Sequence, residues 1–184
     1  RRDLARRYAI YDVFTDVKLS GNPLAVVFDA DDLSDEAMQA VARETNLSET
    51  VFVCRPQQQN GHAARLRIFT PGRELPFAGH PTVGTAVALA ESNNGGGDSD
   101  LDVVCVLEEE VGPVRCAVRM RPGEATFAEF ELPRRPAPIH VPLDRQGIAD
   151  ALTINAGDMV FENHALSIWS AGVPFLLIPL RNLS

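Results

Sequence analysis

Pro81–Glu91 (PTVGTAVALAE) has the residues of a helix but no polar face. Every residue before Glu91 is apolar or small. A helix of that kind is normally surrounded by protein, so the rest of the chain must supply the wrapping. Pro81 suits a first helical turn, where its missing N–H costs nothing. Gly84 reads as a point of close packing rather than a ligand contact.

Working outward, the candidate wrapping is mostly strand. Upstream, Ala64–Thr70 (ARLRIFT) alternates Arg65 and Arg67 with Leu66 and Ile68, the period of a half-buried strand. Tyr8–Phe14 (YAIYDVF) and Leu24–Phe28 (LAVVF) are strands separated by the turn Ser20–Pro23. Asp31–Leu47 is an amphipathic helix, with Ser34 as N-cap and Asp35 and Glu36 in the first turn. Leu33 and Met38 fit a hydrophobic staple. Met38, Val41, Ala42 and Thr45 share its buried face. Thr50–Cys54 (TVFVC) follows as a strand, then a polar turn over Gln57–His62. Downstream, Ser92–Asp100 (SNNGGGDSD) reads as a flexible surface loop. Leu101–Leu107, Val111–Met120 and Ala125–Leu132 form a strand meander, with turns at Gly112-Pro113 and Pro122-Gly123. Pro133–Pro142 holds four prolines and reads as a linker or boundary. Leu143–Leu152 suits a short helix, and Ser167–Trp169 and Val173–Leu180 suit strands. No tandem repeat is present. The pattern predicts an α+β fold, a mainly antiparallel sheet or barrel wrapped around one central helix.

Composition bounds the function. The 184 residues are 45% hydrophobic and 23% charged, as in an ordinary globular protein. Charge is −8, from 17 Lys and Arg against 25 Asp and Glu, with no basic stripe. That is a poor match for nucleic acid. No apolar run reaches the ~18 residues of a membrane span. Cys54, Cys105 and Cys116 are odd in number and form no C-x-x-C pair, so they are expected to be buried, reduced thiols rather than a zinc site or a disulfide frame. Arg1–Arg7 (RRDLARR) is basic without an apolar stretch behind it, and reads as a solvated leader rather than a secretory signal.

Three places carry candidate chemistry. Glu49 in Asn46–Thr50 (NLSET) sits between Leu47 and Val51 where helix hands over to strand. Apolar surroundings would raise its pKa toward the working range of a proton shuttle; the plain alternative is a solvated residue at a helix end. Phe77–Gly84 (FAGHPTVG) leads small residues into the mouth of the apolar helix. Free N–H groups and the helix dipole there suit a carboxylate, Gly79 lets it approach, and His80 can hold it or move a proton. The plain alternative is a turn glycine and a capping histidine. Asn22 in Gly21-Asn22-Pro23 either orients a ligand or makes an Asx turn. His62, His140 and His164 are scattered without metal spacing. Arg73 and Glu74 suit an ion pair, and Trp169 and Phe175 suit the core.

Two of these stretches carry a resemblance. YAIYDVFTDVKLSGNPLAVVFDADDLSDEAMQAVARETNLSETVFV and RIFTPGRELPFAGHPTVGTAVALA resemble the phenazine-biosynthesis PhzF-like isomerase/epimerase family, with fainter similarity running on to SAGVPFLLIPL. The resemblance implies a diaminopimelate-epimerase-like fold of two lobes, each a sheet barrel around a central helix, with the active site between them. It implies that Glu49 is the catalytic glutamate, that His80 and Gly79 are the active-site histidine and glycine, and that Asn22 and Ser48 contact the ligand. The family's best-known reaction isomerises trans-2,3-dihydro-3-hydroxyanthranilate without cofactor or metal. No cysteine lies in Phe77–Gly84, which disfavours two-thiol racemisation. The implied layout is a leader over 1–7, lobe one over 8–135, and linker with the beginning of lobe two over 136–184. The family's Asp-Pro-x-Thr-Gly-Ser-like motif is not in this sequence, so the expectation is either a truncated chain or one whose remainder lies outside this sequence, with little isomerase activity from residues 1–184 alone. The competing expectation is a non-catalytic, small-molecule-binding or self-associating lobe. A small carboxylated substrate, a homodimer, a cytoplasmic location and no nucleic-acid or membrane partner complete the reading.

Overall fold

The computed structural model describes residues 5–58, 61–94 and 99–182. Residues 1–4 of the basic leader, 59–60 of the polar turn and 95–98 of the surface loop lie outside the described residues. The chain divides into two compact units, Arg1–Pro133 and Arg134–Ser184.

The first unit runs β1 (Tyr8–Val13), β2 (Asn22–Val27), α1 (Asp35–Thr45), β3 (Glu49–Cys54), β4 (Ala64–Phe69), β5 (Glu74–Leu75), α2 (Gly79–Asn93), β6 (Leu101–Glu109), β7 (Gly112–Met120) and β8 (Phe127–Phe130). The strands form one sheet in the order β1-β2-β3-β4-β6-β7-β8, with β5 beside β4. Its pairs are antiparallel except β2–β3 and β4–β6. Those two are the places where a helix intervenes in the chain, since a parallel pair needs a long crossover.

Around β3 the sheet is covered on both faces, which explains the unbroken apolar run of that strand. Val51 and Val53 belong to a core that includes Leu24, Leu66, Leu107, Val114 and Ala86 of α2. Phe52 and Cys54 belong to a second core with Met38 and Ala42 of α1. The Phe52 and Phe69 rings meet edge to face at 5.5 Å in this second layer. α1 is shorter than the expected 31–47. Ser34 Oγ accepts from the Ala37 N–H at one end, and Asn46 turns left-handed at the other.

α2 starts two residues before the expected Pro81 and is buried on nearly every side. Gly84 is required by packing. A Cβ there would stand 2.6 Å from Leu24 Cδ2 and 2.8 Å from Val13 Cγ2, so β1 and β2 press directly on the helix. The expected turn at Gly112-Pro113 is displaced: Glu109 pairs with Gly112, so Glu110 and Val111 make the turn and Pro113 lies within β7. Cys54 and Cys116 are buried as expected, but Cys105 is only half-buried.

The second unit holds β9 (Ala137–Ile139), α3 (Arg145–Leu152), β10 (Ser167–Ser170) and β11 (Pro174–Leu177), with the sheet order β11-β10-β9. One expectation fails here, and one holds in part, since the unit boundary falls at Pro133, where the proline-rich stretch begins. The proline-rich stretch is not all linker, because β9 pairs antiparallel with β10. An edge strand tolerates Pro138, having one side without ladder bonds. Trp169 and Phe175 are not core. They face each other across β10 and β11 and stay 39% and 65% exposed. The apolar stretch 173–180 is nonetheless paired, through β11 and a bridge from Leu180 to Met159.

Candidate functional site at the mouth of α2

The parallel pairing of β2 with β3 sets the site. Its register puts Leu24 opposite Glu49, so the residues opening the two strands, Asn22 and Ser48-Glu49, lie side by side. Gly21 delivers Asn22. Its φ is +86°, and a Cβ would fall 2.4 Å from the Val13 carbonyl oxygen, so only glycine makes this turn.

Four of the sequence-selected side chains meet in one run of contacts. Ser48 Oγ donates to Asn22 Oδ1 at 2.8 Å. Asn22 Nδ2 lies 3.1 Å from His80 Nδ1. His80 Nε2 lies 3.2 Å from Glu49 Oε2. With the Asn22 oxygen occupied by Ser48, its amide N–H faces Nδ1, and this network assigns the proton of a neutral imidazole to Nε2, on the Glu49 side. Burial lowers the His80 pKa and the Glu49 charge opposes it, with burial the larger effect. That direction favours the neutral imidazole. Glu49 Oε2 and His80 Nε2 are both buried, and neither carries an aligned hydrogen bond. Two polar atoms so placed are costly to the fold and stand ready for a third group.

Gly79, the fifth selected residue, opens α2. The helix has no side-chain cap, because its N-cap is Ala78 and its first turn holds no acidic residue. The N–H groups there have no intrahelical partner, and they carry the positive end of the dipole. Packing does not demand glycine at 79. A Cβ would meet only Phe130 Cζ, at 3.7 Å, an ordinary contact.

Sequence reasoning missed two neighbours of this mouth. Phe14, expected at a strand end, has φ +62° and presents its ring edge-on to His80 with centroids 6.4 Å apart. Glu109, at the end of β6, reaches Thr82 of α2 at 2.7 Å. The signal for Glu109 was an acidic residue on the inward period of an apolar strand, two after Leu107. The other candidates went elsewhere. Glu74 pairs with Arg67 through both carboxylate oxygens, not with Arg73, because Arg67 projects from β4 directly beside β5. His62 contacts Glu108 at 2.7 Å, and His164 stacks on Phe161. Among the described residues, no group of three or more His, Cys, Asp or Glu is placed to hold a metal, and no helix is long and apolar enough to cross a membrane.

Comparison with known proteins gives the same picture. The family model described as phenazine biosynthesis-like protein matches residues 11–184. An uncharacterised isomerase of Mesorhizobium japonicum is 54% identical over 178 residues, which are 97% of this chain and 57% of that protein. The trans-2,3-dihydro-3-hydroxyanthranilate isomerase of Pseudomonas aeruginosa is 49% identical over 127 residues, 69% of this chain and 42% of that protein. The chain thus spans about half the length of these relatives. Among solved structures, one described as a predicted epimerase from Pseudomonas aeruginosa superposes with a TM-score of 0.81 at 35% identity, covering 96% of this chain and 60% of that one. The α+β architecture is of the diaminopimelate-epimerase-like kind.

Proposed function

The chain belongs to the phenazine biosynthesis-like protein family, and on that premise we propose that it supplies the glutamate-bearing part of a cofactor-independent isomerase or epimerase of small carboxylated metabolites. The reaction is of the type named for its relative, the isomerisation of trans-2,3-dihydro-3-hydroxyanthranilate. One observation carries the reading: Glu49 Oε2 and His80 Nε2 meet at 3.2 Å, both buried and without an aligned hydrogen bond, beside an uncapped helix N-terminus.

Each residue then has a task. The Gly79 and His80 N–H groups bind the substrate carboxylate, as helix N-termini bind anions. Glu49, as carboxylate, takes a proton from one carbon and becomes the neutral acid. The electron pair shifts along the substrate's double bonds. Glu49 returns the same proton to another carbon and is a carboxylate again. Neutral His80 presents its Nε2 proton to Glu49 and the substrate, and Asn22, held by Ser48, fixes that tautomer. Phe14 forms an apolar wall.

The test is proton exchange. The chain is incubated with trans-2,3-dihydro-3-hydroxyanthranilate in D2O, and solvent deuterium in the product is followed by mass spectrometry. Exchange that disappears in Glu49→Gln, with ligand still bound, supports the reading. Exchange that persists undiminished in Glu49→Gln would overturn it.

A further inference from the structure

We propose that Glu109, in its un-ionised form, acts through Thr82 as a positioning residue for the Gly79 N–H. This rests on reading the mouth of α2 as a carboxylate site.

The argument is a count of protons. Thr82 Oγ1 lies 2.8 Å from the Ala78 carbonyl oxygen and 2.7 Å from Glu109 Oε1. The carbonyl only accepts, and the hydroxyl has a single proton. Were Glu109 a carboxylate, one of these two short contacts would hold no proton. With Glu109 un-ionised, both close: Glu109 donates to Thr82 Oγ1, and Thr82 donates to the Ala78 carbonyl.

The surroundings favour the same state. Glu109 is on the inward face of β6 and 8% exposed; Thr82 is fully buried. Glu109 Oε2 has no hydrogen-bond partner, so a charge there would go uncompensated. Of the charged groups nearby, Arg67 and Glu108 are engaged elsewhere. Arg67 of β4 pairs with Glu74 of β5 and with Asp35. Arg65 of β4 stands opposite Cys54 on β3, its buried Nε without a hydrogen-bond partner. Glu108 holds His62 and the Gln57 and Gln58 N–H groups, and Glu110 is in the exposed turn. β7 contributes the neutral Cys116 thiol. Burial pushes the Glu109 carboxyl up to about 7, although the Thr82 contact lowers it.

The link to the site is covalent. The Ala78 carbonyl and the Gly79 N–H belong to one planar peptide and point in opposite directions. Anchoring that carbonyl toward Thr82 aims the N–H out at the mouth. α2 has no side-chain cap to do this. The Thr82 backbone N–H also reaches the Ala78 carbonyl, at 3.2 Å, but only the hydroxyl bond depends on Glu109. As pH rises and Glu109 ionises, the Thr82 hydroxyl turns to donate to the carboxylate, and the Ala78 carbonyl loses that bond.

The experiment is an NMR titration of the full chain carrying carboxyl-labelled glutamate and labelled amide nitrogen. The Glu109 carboxyl carbon should titrate near pH 7, with the Gly79 amide moving at the same midpoint. Glu109→Gln stays neutral and keeps a donor, so its Gly79 amide should hold still from about pH 6 to 8. With a substrate that turns over, KM should rise several-fold over that range in the parent chain and not in Glu109→Gln, with kcat following Glu49 alone. A carboxyl that titrates at the ordinary 4.5, or a Gly79 amide that ignores the Glu109 midpoint, overturns the proposal. The titration of the parent chain decides it even if the variant folds poorly. Because it needs no turnover, failure of the isomerase reading would be seen separately.

Discussion

The two helices of the first unit begin in opposite ways. α1, half-exposed on the outer layer, is finished at its N-terminus by Ser34 and by Asp35 and Glu36 in the first turn. α2, at the centre of the sheet, begins at Ala78 with no side-chain cap and no acidic residue in its first turn. A helix at the surface needs such devices, because its own ends decide whether it forms. A helix enclosed by strands is held by burial, and its N-terminal N–H groups can be left for something else. The difference leaves open the N–H groups at the start of α2, where we propose that a substrate carboxylate binds.

The widest break in this comparison is expected from Glu49→Gln. General acid–base groups contribute roughly 10²–10⁴-fold, so deuterium exchange should fall by that much. The urea midpoint should stay or rise, because the substitution removes a charge from a buried site. An equal fall in stability and exchange would make Glu49 part of the frame rather than the site.

Next in size is Glu109. Its carboxyl is raised from the ordinary 4.5 to about 7, so the folded state holds a proton that the unfolded state has lost. Its contribution to stability is fully present below about 4.5 and is lost as pH rises through about 7. The total is about 3 kcal/mol at ~1.4 kcal/mol per pH unit. Urea unfolding at pH 5 and pH 8 should show the parent chain losing stability relative to Glu109→Gln, whose side chain does not titrate. Parallel pH curves for the two proteins would place an ionised Glu109 in the fold.

The two glycines of α2 sharpen the contrast along one helix. Gly84→Ala forces a methyl against Leu24 and Val13 and should cost about 1–3 kcal/mol by overpacking. Gly79→Ala meets only an ordinary contact with Phe130. It should change stability by about 0.5 kcal/mol or less, yet weaken carboxylate binding by narrowing the mouth. Calorimetric melting and ligand titration on both variants separate the roles.

Much of this was legible in the sequence, for identifiable reasons. The all-round apolarity of Pro81–Glu91 announced an enclosed helix, and the unbroken run of β3 follows from cover on both faces. Glu49, Gly79 and His80 were selected through the family resemblance, since locally each also read as a helix-end residue, a turn glycine or a capping histidine. What escaped was pairing. Asn22 and Ser48 are 26 residues apart and meet only because β2 and β3 are parallel, which no local spacing encodes. Thr82 and Glu109 are 27 apart and meet only because α2 crosses the end of β6. In the second unit, apolar residues misled. Trp169 and Phe175 look like core, and a three-stranded sheet leaves them exposed.

The smallest effects test the comparison most directly, because they exchange the two helix beginnings. Ser34→Ala removes the bond to the Ala37 N–H and should cost about 1 kcal/mol, as cap losses do. Ala78→Ser does the reverse. Ala78 already has the extended backbone of an N-cap, at φ −154° and ψ 135°, so a hydroxyl there can accept from the first turn of α2. Stability should rise by about 0.5–1 kcal/mol, while carboxylate affinity falls, because the added oxygen takes an N–H the ligand needs. A gain in stability with unchanged affinity would mean that the open end of α2 is an unused vacancy in the fold. A gain paired with a loss of binding would mean that the missing cap is the binding site.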